Sequence, residues 1–323
     1  MKNNKLLSFT IPTFNRADLL DECLAEHVPI AKKYEISIYI TDNCSTDNTY
    51  DVVKKWKSEY SSIEYFKNNE NIGPDANFQK ALEYPNSKYI WLLGDSYKLP
   101  LQGIEFLMNY LENNEQHFDM IVFNLNNNIN IKSQTYTDKN NLLNDLGALM
   151  SCISTLVFSK KLIENANFDK YFDTNYIQTG IIFEYFTKNS CTVKWIEEYL
   201  ISDINVDRKQ QLAWNNKPVV FEIGAKSWQD FILGLPELYS AKSKMKAIID
   251  FGILSNIFTF HNLLKLKRNN IYNKSIYNKY KIYIDRGSQL PNFFLKLIAT
   301  TPISLRSILK LLYKVILYLD KKN

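Results

Sequence analysis

The first hundred residues alternate apolar runs of strand length with amphipathic segments of helix length, and this alternation constrains the fold more than any other feature. Strands are predicted at 6–11, 36–43, 63–68 and 88–94, and helices at 16–28, 45–60 and 73–84. Strands that are separated by helices usually lie parallel in one sheet, with the helices on its two faces. The sequence therefore predicts an α/β fold with a doubly wound, mostly parallel sheet.

The rest of the chain is predicted to extend this sheet and then to become helical. The predicted elements are a helix near 101–115, a strand at 119–126, a polar Asn-rich loop to about 140, a segment at 153–163 that begins as a strand and turns helical, a helix at 175–189 and a strand at 191–203. From about residue 217 the pattern is helical, and no internal repeat is visible.

Four polar loops follow the first four predicted strands. Their sequences are PTFNRA, TDNCSTDNT, NENIGPDAN and GDSYKLP. In doubly wound sheets, ligands bind beyond the carboxyl ends of the strands, where loops of this kind converge. The sequence therefore predicts a ligand site at this edge of the sheet.

These four loops resemble, in order and spacing, the nucleotide-binding half of family 2 glycosyltransferases, which have the GT-A fold. The matching segments are 11–16, 42–49, Asn71-Ile72-Gly73 with Asn77, and Trp91-Leu92-Leu93-Gly94-Asp95. The resemblance covers roughly residues 5–100 and continues more faintly through 153–162. It looks nearest to enzymes that add sugars to bacterial surface polysaccharides such as lipopolysaccharide or capsule, including the abequosyltransferase-like enzymes.

The resemblance implies three regions. Residues 1–100 would form the nucleotide-binding half of a GT-A domain, residues 101–216 the acceptor-binding half, and residues 217–323 a helical, basic C-terminal region. It also implies a nucleotide-sugar donor, with a UDP-sugar expected first. The residues implied in binding this donor are Pro12, Thr13, Asn15, Arg16, Asp42, Asn71, Gly73, Asn77, Gly94, Asp95 and Ser96.

The individual residues also allow simpler interpretations. Asp42 would accept a hydrogen bond from the imide N–H of uracil or thymine, but an Asx-turn is the alternative. Asp47 is better interpreted as a helix N-cap. Gly73 followed by Pro74 is a good helix start without any ligand, and Arg16 could lie on a solvated helix face.

The fourth loop departs from the family pattern. Relatives carry an acid cluster there that holds Mg²⁺ or Mn²⁺ against the diphosphate. Here Asp95 is the one acid, because Ser96 and Tyr97 occupy the other places. Asp95 with the Ser96 hydroxyl is a poor cage for a divalent ion, but the diphosphate and water could supply the remaining ligands, so Mg²⁺ or Mn²⁺ at Asp95 stays an alternative. If metal is weak or absent, cationic groups such as Lys98 and Arg208 are the candidates for stabilising the diphosphate. For Arg208 the alternative is a solvated loop charge.

The expected catalytic base is also missing. Inverting relatives carry a Glu-Asp pair after a phrase like FDxxF, and the Asp deprotonates the acceptor hydroxyl. Here FDKYF at 168–172 is followed by Ile177, Gln178 and Thr179 where the pair should be. Asp173 is the first substitute and Glu184 the second. Asp173 could instead be an N-cap, and Glu184 a buried acid with a backbone or lysine partner.

Charge is distributed unevenly along the chain. Residues 262–323 hold thirteen Lys or Arg and two acids, a net charge of +11, which leaves −6 on the rest. In 303–319, one helix side carries Leu305, Ile308, Leu312, Val315 and Leu319, and another carries Arg306, Lys310 and Lys314. The apolar stretch is too short to cross a bilayer but suits an anionic membrane surface. Packing on the body is the rival interpretation, and no nucleic-acid motif is present.

The sequence thus predicts a cytoplasmic glycosyltransferase, peripheral on the inner face of the cell membrane. It would transfer a sugar with inversion to a glycan or lipid-linked oligosaccharide acceptor. The alternative is a degenerate relative that binds a nucleotide or a partner without turnover. A nucleotidyltransferase is disfavoured because PTFNRA has no glycine, and the scattered cysteines and histidines predict neither a zinc site nor disulfides.

Overall fold

The computed structural model describes residues 5–113, 117–205, 207 and 217–320. The chain divides into two compact units. The first comprises Met1–Lys209 with Leu235–Ser243, and the second comprises Gln210–Gly234 with Lys244–Asn323.

The first unit is built on one mixed sheet, which has nine strands in the described residues. The strands are β1 Leu7–Thr13, β2 Ser37–Asp42, β3 Ile63–Lys67, β4 Tyr89–Leu92, β5 Tyr97–Lys98, β6 Met120–Leu125, β7 Gln134–Tyr136, β8 Leu156–Ser159 and β9 Val193–Asp203. Their order is β3-β2-β1-β4-β8-β6-β9-β5, with β7 also paired to β9. Strands β3, β2, β1 and β4 are parallel, and so are β6 and β9. The predicted α/β fold with a mostly parallel sheet is confirmed.

The sheet differs from the prediction in its second half. Strand β8 is antiparallel to both of its neighbours, β4 and β6. The short strands β5 and β7 were not predicted; β7 lies inside the segment expected to be a loop, and it pairs antiparallel with β9. Two or three residues do not establish a period-two pattern, so such strands are set by their pairing partner and not by their own sequence.

Helices cover the sheet of the first unit. They are α1 Ala17–Tyr34, α2 Thr49–Glu59, α3 Pro74–Glu83, α4 Leu101–Asn113, α5 Lys139–Leu146, α6 Lys160–Glu164 and α7 Ile177–Lys188. All seven residues of β1 are buried, so the strand is covered on both faces. Its sequence nevertheless alternates apolar residues with Ser8 and Thr10, and the buried Thr10 hydroxyl donates to the backbone carbonyl of Ala81 at 2.8 Å.

Trp91 of β4 lies at the centre of this core. Its side chain is fully buried and stacks on Phe123 with ring centroids 4.6 Å apart. Its indole N–H donates to the backbone carbonyl of Ser154 at 2.8 Å, and the Ser154 hydroxyl accepts from the backbone N–H of Gly94 at 2.9 Å. The core is thereby linked to the loop that carries Asp95.

The second unit is helical in its described residues, which confirms the helical C-terminal region. A π-helical segment, Glu222–Ser227, continues into α8 Trp228–Leu233, followed by α9 Ala241–Leu254, α10 Phe260–Arg268, α11 Lys274–Gly287, α12 Asn292–Thr300 and α13 Arg306–Asp320. The first three residues of α9 belong to the first unit. In the part of the chain that the structure describes, no helix has the length and apolarity needed to cross a bilayer.

Helix α13 packs on its own unit through a different face from the predicted one. Leu309 is fully buried, and the Tyr313 ring stacks on that of Phe260 with centroids 4.3 Å apart. Leu305, Ile308 and Leu312, the predicted apolar side, remain 45%, 52% and 37% exposed. The helix therefore keeps an exposed apolar side after it has packed.

Candidate active site

The carboxyl ends of β1, β2 and β4 bring the predicted site residues together. Thr13 and Asp42 are register partners at the ends of β1 and β2. Strand β4 lies on the other side of β1 and leads through Leu93 and Gly94 to Asp95. The Thr13 hydroxyl donates to Asp95 Oδ2 at 3.1 Å, although 82 positions separate the two residues.

Asp95 forms a buried ion pair with Arg16. The Asp95 side chain is 2% exposed, and Arg16 Nη1 lies 2.9 Å from its Oδ1. Burial raises the pKa of Asp95, an effect that the Arg16 guanidinium and the Thr13 hydrogen bond oppose. Arg16, itself 34% exposed, thus lies over Asp95 and not on a solvated helix face.

Two atoms of this ion pair lack hydrogen-bond partners. Arg16 Nε and Asp95 Oδ1 are buried and have no partner among the described residues, since the contact between Nη1 and Oδ1 lacks hydrogen-bond alignment. A donor and an acceptor left unsatisfied side by side indicate a place where a ligand with both kinds of group would bind.

The residues at this position do not fit a divalent metal ion. The described residues contain no group of three or more His, Cys, Asp or Glu side chains that could hold one. A dication on Asp95 Oδ1 would lie beside the Arg16 guanidinium, and like charges repel. Asp95 alone would supply at most two of the oxygen ligands that Mg²⁺ requires, so water and a diphosphate would have to supply the others.

Asp42 is buried at the end of β2 and already accepts two hydrogen bonds. Its Oδ1 accepts from the backbone N–H of Ser45 at 2.8 Å, and its Oδ2 accepts from the Tyr65 hydroxyl at 2.6 Å. The hydrogen bond from Ser45 is a turn contact of the kind that the alternative interpretation of Asp42 predicted. Each carboxylate oxygen can accept a further bond, so contact with a base remains a prediction. Burial and Asp42 together raise the pKa of Tyr65 above its ordinary value.

The third loop is held by an amide network. Asn43 Nδ2 donates to Asn71 Oδ1 at 2.9 Å and to the carbonyl of Gly73 at 3.1 Å. Gly73 has a φ of +83°, which disfavours any side chain there. Asn77 is 3% exposed, and it donates to the carbonyl of Thr41. These contacts build the loop, and a direct role for its residues in ligand binding remains a prediction.

The first two loops are joined in the same way. Asn15 has a φ of +50°, and its Oδ1 accepts from the backbone N–H of Thr46 at 2.8 Å. Asp47 accepts from the backbone N–H groups of Ala17 and Thr49, at the first turns of α1 and α2. Asn48 holds the N-cap position of α2, so the predicted N-cap lies one residue too early, although the Asp47 carboxylate binds the first N–H group of both helices.

The remaining loop residues lie on either side of Asp95 or further away. Pro12 is buried within β1, Gly94 contacts Ser154, and Ser96 is 4% exposed. Lys98 Nζ lies 2.5 Å from Glu26 Oε2, so its charge is compensated there. Arg208 lies outside the described residues.

Glu184 is engaged in an ion-pair cluster on α7. Its carboxylate lies 2.7 Å from Lys170 Nζ and 2.9 Å from Lys188 Nζ, and Tyr171 donates to it at 3.0 Å. Although burial opposes the effect, these partners lower the pKa of Glu184 to about 2. A carboxylate with so low a pKa is a weak base, and the lysine-partner alternative describes Glu184 better.

Replacing Glu184 by Gln is expected to lower the free energy of unfolding most at neutral pH. A group whose pKa falls from 4.5 to about 2 on folding stabilises the protein above pH 4.5, and this contribution is lost as pH falls towards 2. The difference between wild type and Glu184→Gln should therefore narrow below about pH 4.5, measured by urea unfolding. Glu164→Gln, on an exposed side chain, should show no such pH dependence.

Asp173 lies just before α7 and is connected to α3 through Asp75. Asp173 is exposed and has a φ of +61°. Asp75 is 5% exposed and accepts from the backbone N–H groups of Asn175 and Ile177, at 2.9 and 3.4 Å. Burial raises the pKa of Asp75, and the two hydrogen bonds lower it in part. The negative charge of Asp173 raises the pKa of Asp75 further. The segment with Asp173 is thereby fastened to the helix that follows the third loop.

Four contributors to this region were not predicted from the sequence. Asp75 fastens the start of α7, Ser154 holds Gly94, and Tyr65 holds Asp42. Phe14 follows Thr13 directly and is 39% exposed. Its place in the polar loop PTFNRA was the available sequence signal for that exposure.

Two surface cavities are lined by residues outside this site. One, of about 600 Å³, is lined mainly by residues of α11, and the other, of about 420 Å³, is lined by the ends of α1 and α2 and the loop between α2 and β3. Arg16 and Thr13 instead close the Asp95 carboxylate off from solvent in this structure. A ligand there would lie over Arg16.

Comparison with known proteins decides the family. The family model described as "Glycosyl transferase family 2" matches residues 8–177, more than half of the chain. The chain belongs to glycosyl transferase family 2. The match contains the four loops and extends to the start of α7.

Two curated relatives of this family 2 member are named as enzymes that transfer a sugar. The chain is 28% identical over 219 residues to abequosyltransferase RfbV of Salmonella typhimurium, a match covering 61% of this chain and 66% of that protein. It is 27% identical over 175 residues to the GalNAc(5)-diNAcBac-PP-undecaprenol beta-1,3-glucosyltransferase of Campylobacter jejuni, covering 52% and 56%. The chain spans less than two thirds of the length of either relative.

Solved structures confirm the GT-A-like fold. S. aureus TarS 1-349 in complex with UDP-GlcNAc is similar with a TM-score of 0.54 at 14% identity, covering 91% of this chain and 87% of that one. Mannosyltransferase PcManGT from Pyrobaculum calidifontis, in complex with GDP-Man and Mn²⁺, gives a TM-score of 0.56 at 11% identity, covering 93% and 87%. At these identities the similarity establishes the fold alone.

Proposed function

We propose that this chain is a glycosyltransferase that moves a sugar from a nucleotide-sugar donor to a glycan acceptor. The observation that carries the proposal is the buried Asp95–Arg16 pair, located where the family 2 segments of the chain converge at the carboxyl ends of β1, β2 and β4. Thr13, Asp42 and the first three loops surround this position.

The nucleoside would bind over the ends of β1 and β2. Asp42 would accept from the imide N–H of the base, and the exposed ring of Phe14 offers a flat face for stacking. A uracil base fits an acceptor of this kind, so a UDP-sugar is the first donor to test. The complexes of the similar structures with UDP-GlcNAc and GDP-Man favour a nucleotide-sugar in general.

The reaction would be a single displacement with inversion. The acceptor hydroxyl oxygen forms a bond to the anomeric carbon of the donor sugar while the bond from that carbon to the diphosphate oxygen breaks. The nucleoside diphosphate leaves with the bonding electron pair, and the proton of the acceptor hydroxyl passes to a carboxylate base. Asp173 is the proposed base, because it is exposed and fastened near α3, whereas Glu184 is paired with two lysines.

The acceptor would be a lipid-linked oligosaccharide of a bacterial surface glycan. One relative is named for an undecaprenol-linked substrate and another for the transfer of abequose. The nucleotide-binding role of residues 1–100 and the acceptor-binding role of residues 101–216 belong to this proposal.

Donor hydrolysis tests the proposal without knowledge of the acceptor. The full chain would be incubated with UDP-, dTDP-, GDP- and CDP-sugars, and release of the nucleoside diphosphate would be measured. Turnover of one donor above the rate without enzyme supports the proposal. The absence of both turnover and nucleotide binding across the panel would contradict it.

Replacing Asp42 by Asn is expected to weaken nucleotide binding by about 1.5–3 kcal/mol, the usual value of a hydrogen bond to a charged group. The change would be measured by calorimetric titration with the preferred nucleotide. Asp47→Asn is the matched control, because it removes a charge from the same loop at a residue that caps two helices. Equal affinity of the Asp42 variant and the wild type would remove Asp42 from the base site.

The second unit is proposed to hold the enzyme on the inner face of the cell membrane. Helix α13 buries Leu309 and stacks the half-buried Tyr313 on Phe260, yet Ile308, Leu311 and Leu312 remain 52%, 65% and 37% exposed. The same helix carries Arg306, Lys310 and Lys314. An exposed apolar side beside cationic side chains suits an anionic lipid surface.

Substituting Ile308, Leu311 and Leu312 together by Ser is expected to abolish sedimentation with phosphatidylglycerol vesicles. The variant keeps the buried Leu309 and the stacked Tyr313, so the helix should still pack. Ile282→Ser, at a 61% exposed position of α11, is the control and should sediment like the wild type. If the triple variant sediments equally well, α13 is not the membrane contact.

A nucleotide-binding protein without turnover is the second candidate. Ile177, Gln178 and Thr179 are fully buried where relatives carry an acid pair, and Asp95 has no second acid beside it. Nucleotide binding without hydrolysis of any donor, and without transfer to lipid-linked acceptors, would favour this role.

A further inference from the structure

The Asp95–Arg16 pair has a charge arrangement that the proposed function does not by itself explain. A site for a diphosphate needs positive charge, and the usual source in a GT-A site would be a divalent ion held by carboxylates. Here the carboxylate is already neutralised by a guanidinium from the first loop. The question is what supplies positive charge to the diphosphate.

We propose that Arg16 takes the place of the divalent cation: it neutralises Asp95 and binds the donor diphosphate, so the site works without metal. This inference rests on the proposed function, because it concerns the donor of that same reaction. It assigns to Arg16 a role in charge stabilisation that Lys98, paired with Glu26, does not supply in this structure.

The donor set argues against a metal ion on two counts. Asp95 Oδ2 already accepts from Thr13, and Oδ1 lies 2.9 Å from Arg16 Nη1. A dication would have to displace the guanidinium, and the described residues offer no cluster of ligands to receive it. Asp95 therefore suits the guanidinium of Arg16 better than it suits a divalent ion.

The unsatisfied atoms argue for an anionic ligand on Arg16. A guanidinium has five N–H donors in one plane and binds phosphate oxygens in pairs. Arg16 Nε is buried without a hydrogen-bond partner, and a phosphate oxygen would satisfy it. Asp95 Oδ1, also without a hydrogen-bond partner, lies beneath the guanidinium, so a sugar hydroxyl of the same donor would reach it after a shift of the Arg16 side chain. With that shift, one nucleotide-sugar would satisfy both atoms.

The position of Arg16 suits this role. One end of the guanidinium is fixed by Asp95 while the side chain stays 34% exposed, so the remaining donors are accessible from outside. Fixing the arginine before the ligand arrives means that little side-chain entropy is lost on binding. Positive charge is then in place where the leaving diphosphate gains negative charge.

The test measures nucleoside diphosphate binding and donor hydrolysis in EDTA and in Mn²⁺. UDP, dTDP, GDP and CDP would be titrated into the full chain, and hydrolysis of the matching sugar donors followed. We expect affinity and turnover in EDTA to lie within about twofold of those in Mn²⁺. Loss of both in EDTA with recovery in Mn²⁺ would overturn the inference and leave the proposed function intact. No binding in either condition would overturn both.

Variants of Arg16 and of a second cation show whether diphosphate binding depends on Arg16 itself or on the net positive charge of the protein. Arg16→Met should weaken nucleoside diphosphate binding by about ten- to a hundredfold. Lys33→Met removes one positive charge from the last turn of α1, the helix that follows Arg16; Lys33 pairs with Glu105 there, and this variant should bind like the wild type. Wild-type affinity of Arg16→Met would overturn the inference.

Two further variants guard against loss of folding. Arg16→Met leaves the buried Asp95 carboxylate without its ion pair, which destabilises a fold. Arg16→Lys keeps the charge without the planar fork, and the double variant Arg16→Met with Asp95→Asn removes both charges. Both should fold, and both should bind the diphosphate at least about tenfold more weakly than the wild type. Wild-type binding by either folded protein would overturn the assignment to Arg16.

Discussion

Replacing Asp95 by Asn is expected to lower kcat/KM for donor hydrolysis by at least about a hundredfold, the effect of removing one preorganised polar group from a catalytic site. The amide keeps the shape of the carboxylate, but it cannot neutralise Arg16. Without the ion pair to Asp95, the Arg16 side chain would also no longer be held in place for the diphosphate. The measurement is steady-state hydrolysis of the preferred nucleotide-sugar by the full chain.

Asp119→Asn is the matched control for this experiment. Asp119 is also a buried acid of the first unit, and its carboxylate accepts from the Tyr185 hydroxyl and the backbone N–H of Thr192. Its substitution should lower the free energy of unfolding while kcat/KM at a permissive temperature stays near the wild-type value. Unchanged turnover in Asp95→Asn would show that Asp95 is not part of the active site. The proposed function would then lose the observation on which it rests.

The first half of the sheet was predictable because its physical signals are local. Strands β1, β2, β3 and β4 lie where strands were predicted, because each contains closely spaced apolar or β-branched residues of the kind that favour a strand. The segment predicted to change from strand to helix at 153–163 does so between β8 and α6. Helical spacing likewise predicted the second unit. These features depend on residues that are near each other in the sequence.

The electrostatics of the site could not be predicted in the same way. Arg16 and Asp95 are far apart in sequence, and their contact exists only because β4 lies beside β1. Glu184 has Lys188 four residues later, a readable helical pair, but Lys170 reaches it from outside the helix. Their combined effect on its pKa required the fold.

The buried face of α13 shows a limit of helical periodicity. The spacing of Leu305, Ile308 and Leu312 marks one apolar side, but Leu309 and Tyr313 are also apolar and four residues apart. A helix with two such rows can pack through either. Here the row of Leu309 and Tyr313 packs on the rest of the unit, because the Tyr313 ring stacks on those of Phe260 and Phe294. The side of α13 that packs is therefore determined by Phe260 and Phe294, which lie outside the sequence of α13.

Trp91→Ala is expected to lower the free energy of unfolding by about 3–5 kcal/mol, the usual cost of truncating a buried tryptophan. The change also removes the indole that fixes the Ser154 carbonyl, and Ser154 in turn holds the backbone N–H of Gly94 beside Asp95. Nucleotide affinity should therefore fall together with stability. Urea unfolding followed by far-UV circular dichroism measures the first effect, and calorimetric titration in the absence of urea measures the second.

Trp228 provides a closely matched control in the second unit. It is fully buried, its indole N–H donates to the backbone carbonyl of Ala247 at 3.3 Å, and it stacks on Phe251 with centroids 4.6 Å apart, the same distance as between Trp91 and Phe123. Trp228→Ala should cost a similar free energy, about 3–5 kcal/mol, without changing nucleotide affinity. If both variants lose stability but neither loses affinity, the path from Trp91 through Ser154 to Gly94 does not position the site. If both lose affinity equally, the effect reports general loosening and not this path.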